Sequence, residues 1–244
     1  MNDNILEVRD LKVWFPIKKG IFARTVGHVK AVDGVSFDLK RGETLGVVGE
    51  SGSGKSTIAR VVTGLVKATG GSFRLNGKVG MVFQDPLGSL NPRQTIRAAI
   101  ETVPRGCEKP DAKALLEEVG LDASALDKYP HEFSGGQRQR ICTARALAMK
   151  PELLICDEAV SALDLSIRAQ VLDLLGELKK KHGLSFLFIT HDIGVVQHIA
   201  DSIIVMNRGK LVEQGPCNEV LRHPKEEYTK YLMASVPKIG KELA

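Results

Sequence analysis

An apolar run at 44–48 leads straight into Gly49-Glu50-Ser51-Gly52-Ser53-Gly54-Lys55-Ser56, and Thr57 then opens an apolar-periodic stretch to residue 66. The octet fits GxxxxGK[ST], and each fixed position has a physical reason. Glycines let successive backbone N–H groups curl around phosphate oxygens at close range. The lysine reaches β- and γ-phosphates, the serine hydroxyl ligates Mg2+, and the following helix turns its positive end toward the anion. Four fixed positions over this length arise by accident in about 1% of chains. Strands alternating with helices before and after the octet read as an α/β core with a parallel sheet. Nucleotide binding follows.

Composition narrows the partners. Lys+Arg 34 against Asp+Glu 29 gives a net charge of +5, too mild for a nucleic-acid binder without a concentrated basic stripe. No nucleic-acid partner is therefore expected. At 244 residues, 43% hydrophobic and 26% charged, the chain is neither disordered nor fibrous and suits one compact α/β domain, or one domain with a small subdomain. Cysteines at 107, 142, 156 and 217 lack CxxC spacing and read as reduced thiols. The N-terminus has no secretion-signal order. The longest apolar stretch, at 184–189, is far shorter than the ~20 residues of a membrane helix. Work at a membrane would proceed from its surface or through a partner.

Period-two alternation predicts strands at 5–8 and 11–15, the second with Leu11, Val13 and Phe15 on one face and ended by Pro16. Residues 18–30 read as a basic loop or hairpin insertion. Further strands are expected at 35–39, 44–48, 72–75, 79–83, 153–156, 184–190, 203–206 and 210–214. A helix over 56–66 turns Ile58, Val61, Val62 and Leu65 inward. Between 84 and 132, five prolines and helical spacing of Leu115, Leu116 and Val119 indicate an inserted helical subdomain.

Two further groups carry chemistry. The strand at 153–156 ends in Asp157 and Glu158. Such a pair is often only a strand end meeting solvent. Beside a phosphate-binding loop, Asp157 would hold Mg2+ through its hydration shell and Glu158 would orient or deprotonate an attacking water. Phe133-Ser134-Gly135-Gly136-Gln137 precedes a helix running to about residue 149. Ser134 and Gln137 fit a capping box. The paired glycines cost roughly 1 kcal/mol each in helix propensity and suit backbone approach to a second phosphate.

Together these residues resemble the ATP-binding cassette (ABC) ATPases, from about residue 5 to 235. The resemblance implies a P-loop NTPase core of ABC type, with an antiparallel β subdomain and an inserted helical subdomain. One domain would cover 1–244: a core at about 1–84 and 150–244, and a helical part at about 85–149. Residues 133–137 look like the signature motif, Gln84 like the Q-loop glutamine, Ser161-Ala162-Leu163-Asp164 like the D-loop and His191 like the switch histidine. Phe15 is the candidate for the ring that stacks on adenine, with Trp14 second. The family pattern implies ATP and Mg2+ as ligands, with Phe15, residues 49–56, Thr57, Gln84 and Ser134–Gln137 at the nucleotide, Glu158 and His191 catalytic, and Ser56, Gln84 and Asp157 around the metal. It implies a head-to-tail pair in which Gly49–Ser56 of one chain and Ser134–Gln137 of a second, same or related, chain share each ATP.

Residues 85–92, 129–133 and the Pro224…Tyr228-Thr229 ending look like ATPases of oligopeptide, dipeptide and nickel importers, and the Phe15-Pro16-Ile17-Lys18-Lys19-Gly20 insertion and Val212-Glu213-Gln214-Gly215-Pro216-Cys217 are similar to one half of the tandem ATPase of peptide importers. Transmembrane permeases, and indirectly an extracytoplasmic solute-binding protein, are the implied partners. The implied place is peripheral, on the cytoplasmic face of the membrane. The alternative is an ABC ATPase of a soluble complex. Ala159 stands where the family commonly has proline, and 76–79 and 98–111 are shorter than usual. No cysteine cluster for an iron–sulfur centre is expected in the tail.

Overall fold

The computed structural model describes residues 3–20, 24–104 and 107–234. In chain order the elements begin with β1 (Asn4–Lys19), β2 (Arg24–Lys40), β3 (Thr44–Val48), α1 (Lys55–Val62), β4 (Gly70–Leu75) and β5 (Val79–Val82). Four helices follow: α2 (Pro86–Ser89), α3 (Ile96–Glu101), α4 (Ala112–Glu118) and α5 (Gly135–Leu147). Then come β6 (Leu153–Asp157), α6 (Leu165–His182), β7 (Ser185–Thr190), α7 (Ile193–Ile199), β8 (Ser202–Asn207), β9 (Lys210–Pro216), α8 (Cys217–Arg222) and α9 (Glu227–Ala234).

The chain divides into two compact units. The first comprises the N-terminal residues through Glu7, Asp38–Glu43 and Arg74–Ile189. In it β5, β6 and β7 pair in parallel, with Val82 opposite Cys156 and Asp157 opposite Ile189. Every residue of β6 and β7 is buried, as expected of parallel strands covered on both faces. Helices α2 to α6 belong to this unit. Asp111 caps α4 and Asp164 caps α6 through their carboxylates. The last turn of α6 carries Lys179, Lys180, Lys181 and His182, favourable at the negative end of the helix dipole. Lys181 and His182 both reach Glu118 of α4, which ties the two helices together.

The second unit comprises Val8–Phe37, Thr44–Phe73 and the chain from Thr190 on. Here β3 pairs in parallel with β8, Val48 opposite Val205, and β8 pairs antiparallel with β9 across an irregularity at Val205/Met206. Most of β1, β2 and β4 also lies here, in a three-stranded sheet of order β2-β1-β4.

Three expectations change. The two N-terminal strands are one, running through Pro16. Asp10 takes φ +46 and its N–H is held by Ser36 Oγ, so the chain absorbs the irregularity between the apolar runs without ending the strand. The basic stretch at 18–30, by contrast, takes the hairpin form of its expectation, on the neighbouring strands β1 and β2, with residues 21–23 outside the described ones. The first helix stops at Val62, not 66: Gly64 at φ +75 turns the chain, and Leu65 is 62% exposed instead of inward.

Candidate functional site

In the second unit the loop between β3 and α1 has the shape its glycines were expected to allow. Gly49 sits at φ +149, and a Cβ there would lie 2.1 Å from the Met206 carbonyl oxygen. Gly54 at φ +105 would place one 2.1 Å from the Ala31 oxygen. Only glycine fits either position. The loop folds over Lys55, which is 3% exposed. Its Nζ donates to Gly49 O at 2.7 Å, to Glu50 O at 2.8 Å and to Ser53 Oγ at 3.5 Å. A buried ammonium needs such acceptors, and these hold the charge at the mouth of α1. No side chain caps α1; the helix starts at Lys55 itself, with Ser56 and Thr57 in its first turn, which suits an anion.

Phe15 stands on β1, 42% exposed, beyond the buried Leu11 and Val13 of the same face. Trp14 points the other way and is engaged. Its Nε1 donates to Asp33 Oδ1 at 3.1 Å, and Lys30 Nζ lies 4.3 Å over its ring. His191 is exposed, just past β7, where Asp192 caps α7 by accepting from Gly194 and Val195 N–H.

In the first unit, Gln84 follows β5 and Glu158 follows β6, at the carboxyl ends of adjacent parallel strands, where α/β sheets place ligands. Gln84 Nε2 donates to Glu158 Oε2 at 3.0 Å. Glu158 takes φ +50, unusual for a residue with a side chain. Three bonds hold it there: its N–H to Ile189 O, and its carbonyl to the Ser161 N–H and Ser161 Oγ. Asp157 is 4% exposed. Burial, with the Asp157 charge beside it, pushes the Cys156 thiol up to about 12.

Ser134 and Gln137 form the expected capping box at the start of α5, Ser134 N to Gln137 Oε1 at 3.0 Å and Gln137 N to Ser134 Oγ at 3.3 Å. Gly136 has a packing reason of its own: a Cβ there would lie 2.5 Å from Ile167 Cγ2 of α6. The turn after Gln84 is pinned to α5. Ser89 Oγ meets Cys142 Sγ at 3.2 Å, and Arg145 donates to the Ser89 carbonyl. Sequence reasoning gave Cys142 and Arg145 no part here and Ser89 no role beyond the finer resemblance, and it missed the contact of Tyr228, whose hydroxyl accepts the Glu50 N–H at 3.2 Å. Only the finer resemblance had marked Tyr228, with no role.

The oxygen donors proposed for Mg2+ suit a hard cation. Asp157 offers a buried carboxylate and Ser56 a hydroxyl. With its Nε2 directed at Glu158, Gln84 keeps its carbonyl oxygen for another partner. Among the described residues no cluster of three His, Cys, Asp or Glu side chains could hold a metal by itself.

The family profile described as ABC transporter matches residues 32–161, a span that includes residues 49–56, Gln84, residues 133–137, Asp157 and Glu158. The chain belongs to the ABC transporter family. It is an ATPase whose hydrolysis is coupled to transport, with a P-loop core of ABC ATPase type, an antiparallel β subdomain and an inserted helical subdomain. It is 49% identical to the oligopeptide transport ATP-binding protein AppF of Bacillus subtilis, over 96% of this chain and 79% of that protein. It is 43% identical to the dipeptide transport ATP-binding protein DppF of Haemophilus influenzae, over 99% of this chain and 81% of that one. Among solved structures, the dimeric post-hydrolysis state of the ATP-binding cassette MJ0796 bound to ADP and Pi matches at TM-score 0.74 and 26% identity. That match covers 87% of this ABC ATPase and 98% of the solved chain. Among the described residues no helix is long and apolar enough to cross a membrane.

Proposed function

We propose that this chain is the ATP-hydrolysing subunit of an importer for peptides or peptide-like solutes, docked peripherally on membrane permeases at the cytoplasmic face. One observation carries the reading: near-half identity, over almost the whole chain, to proteins named for oligopeptide transport. Delivery by an extracytoplasmic solute-binding protein follows from an importer of this kind. No observation favours a soluble assembly.

The chain acts as one domain over 1–244, with the helical part at about 85–149 passing motion to the permeases. Lys55 neutralises the β- and γ-phosphates while the loop amides cradle them, and Phe15 stacks on adenine. Ser56, Asp157 and Gln84 would hold Mg2+, which would supply positive charge against the phosphates. Glu158 takes the proton of the attacking water as its oxygen bonds to the γ-phosphorus and the bond to the ADP oxygen breaks. His191 steadies the γ-phosphate. Ser134, Gly135, Gly136 and Gln137 of a second ATPase chain close the site, so ATP joins the pair and hydrolysis releases it. The dimeric, product-bound state of MJ0796 supports this arrangement.

The test is recovery from membranes. Tagged chain carrying Glu158→Gln, loaded with ATP and extracted in detergent, is expected to bring down integral permease subunits. The wild-type complex in vesicles is expected to hydrolyse ATP faster when peptide and binding protein are present. Recovery of soluble partners alone overturns the importer reading.

A further inference from the structure

Two segments that mark the finer resemblance, residues 212–217 and the Pro224…Tyr228-Thr229 ending, take no part in the catalytic reading above. In the second unit they form one piece. Glu213, 9% exposed on β9, accepts the N–H groups of Lys225 at 2.9 Å and Glu226 at 3.2 Å. Both residues lie just before α9. Amides at a helix start lack intrahelical acceptors, so this carboxylate satisfies them and fixes where α9 begins. Tyr228 and Leu232 of α9 then pack against the core that contains Val48, Val205 and Val220. Val48 is the residue before Gly49, so α9 is seated beneath the root of the phosphate-binding loop. From that seat the Tyr228 hydroxyl accepts the Glu50 N–H at 3.2 Å.

The consequence runs through one peptide plane. The N–H of Glu50 and the C=O of Gly49 belong to the same planar unit and point in opposite directions. A phenol oxygen that holds the N–H on one side aims Gly49 O to the other, where it accepts from Lys55 Nζ at 2.7 Å. Residue 49 cannot carry a side chain to brace this plane itself, because the Met206 carbonyl occupies the Cβ position. The brace has to come from outside the loop.

We propose that Tyr228 is a positioning residue of the phosphate-binding loop: through the Gly49–Glu50 peptide it presets the Lys55 ammonium for ATP, so that helix α9 tunes nucleotide affinity. The inference rests on the reading of the loop as the ATP site. A preset group loses less freedom on binding, so its loss weakens affinity and leaves the chemical step alone.

The experiment uses the full chain and Tyr228→Phe, which keeps the ring and its packing and removes only the hydroxyl. Isothermal titration with ATP is expected to give a Kd about 3- to 10-fold higher, as for one lost neutral hydrogen bond. The unliganded melting temperature should stay within about 2 °C. In the assembled transporter the KM for ATP rises by the same factor, with kcat at saturating ATP within about twofold. Lys55→Ala serves as the control that abolishes phosphate binding. Wild-type affinity in Tyr228→Phe, beside a null Lys55→Ala, overturns the role of Tyr228 and leaves the ATP site standing. A fall in kcat without a change in Kd also overturns it. A wild-type chain that binds no ATP overturns both readings together.

Discussion

Gln84 donates its amide to the Glu158 carboxylate at 3.0 Å, so the residues that follow two adjacent parallel strands hold one another. The bond orients Glu158 at a backbone conformation, φ +50, that a side-chain-bearing residue adopts only when its surroundings impose it. Here they do: Ile189 O, the Ser161 N–H and Ser161 Oγ grip both ends of the residue. Ala159 contributes to this arrangement by what it is not. A proline at 159 would restrict the backbone of Glu158; alanine leaves it free to take the left-handed geometry seen.

Glu158→Gln keeps the shape and the bond to Gln84 but cannot take a proton. ATP binding should be retained within about twofold, while steady-state hydrolysis falls by roughly 100- to 10,000-fold, the usual worth of a general base. Phosphate release from the transporter complex, set beside nucleotide titration of the same variant, checks this. Turnover near the wild-type rate would remove Glu158 from the role.

Phe15 and Trp14 should separate cleanly. The chain has a single tryptophan, adjacent to the proposed adenine platform and fixed by Asp33 and Lys30. Its emission should therefore change on ATP binding. Phe15→Ala should weaken ATP by about 1–3 kcal/mol, the range for loss of one base–aromatic stack. Trp14→Phe should leave affinity within about twofold. Titration by fluorescence, and by calorimetry for the tryptophan-free variant, decides between the rings; a larger loss in Trp14→Phe would exchange their assignments.

The local parts of the site were legible because each depends on residues close in sequence. The octet 49–56, the capping box of Ser134 and Gln137, and the carboxylates that end β6 all follow from neighbours within a turn or a strand. Leu65 was misread because a helix that stops four residues early removes its last apolar position from the buried face, and periodicity alone does not locate the stop. What could not be read were contacts between distant residues. Gln84 and Glu158 are 74 positions apart, Ser89 and Cys142 are 53 apart, and Glu50 and Tyr228 are 178 apart. Those pairings depend on strand order and helix seating, which hydropathy patterns do not encode.

The cap on α9 should show in the pH dependence of stability. Burial alone would raise the Glu213 carboxyl, but the neighbouring Thr229 hydroxyl and the Lys225 and Glu226 amides more than offset this and hold it below the ordinary glutamate value. A carboxyl lowered on folding stabilises fully above its unfolded pKa, and that contribution is lost as pH falls through the folded one. Glu213→Gln should therefore melt about 4–8 °C below wild type at pH 7, for roughly 2 kcal/mol of charge-assisted bonding. The gap should narrow as pH falls below about 4. Melting curves of both proteins from pH 7 to 3 test this, and a gap independent of pH would mean that packing, not charge, accounts for the loss.

The thiols provide a reading of the core that needs no substitution. Cys107 is exposed, whereas Cys142, Cys156 and Cys217 are buried. Thiolate is the reactive form, and burial works against it at all three inner positions. It raises Cys142 against the opposing Ser89 hydrogen bond, it raises Cys217 with Asp201 adding to the effect, and it takes Cys156 to about 12 beside Asp157. At pH 8 a disulfide reagent should therefore consume one equivalent of thiol quickly, at Cys107, and the remaining three only as the chain opens. Guanidinium should release all four at once. Cys142 lies in contact with Ser89, in the turn that follows Gln84, so it is the inner thiol whose rate reports on that clamp. Ser89→Ala should speed modification of Cys142 and leave Cys156 and Cys217 unchanged, with each site followed by mass spectrometry of the labelled peptides. Equal acceleration at all three would mean that Ser89 supports the whole unit and is no specific tie between the Gln84 turn and α5.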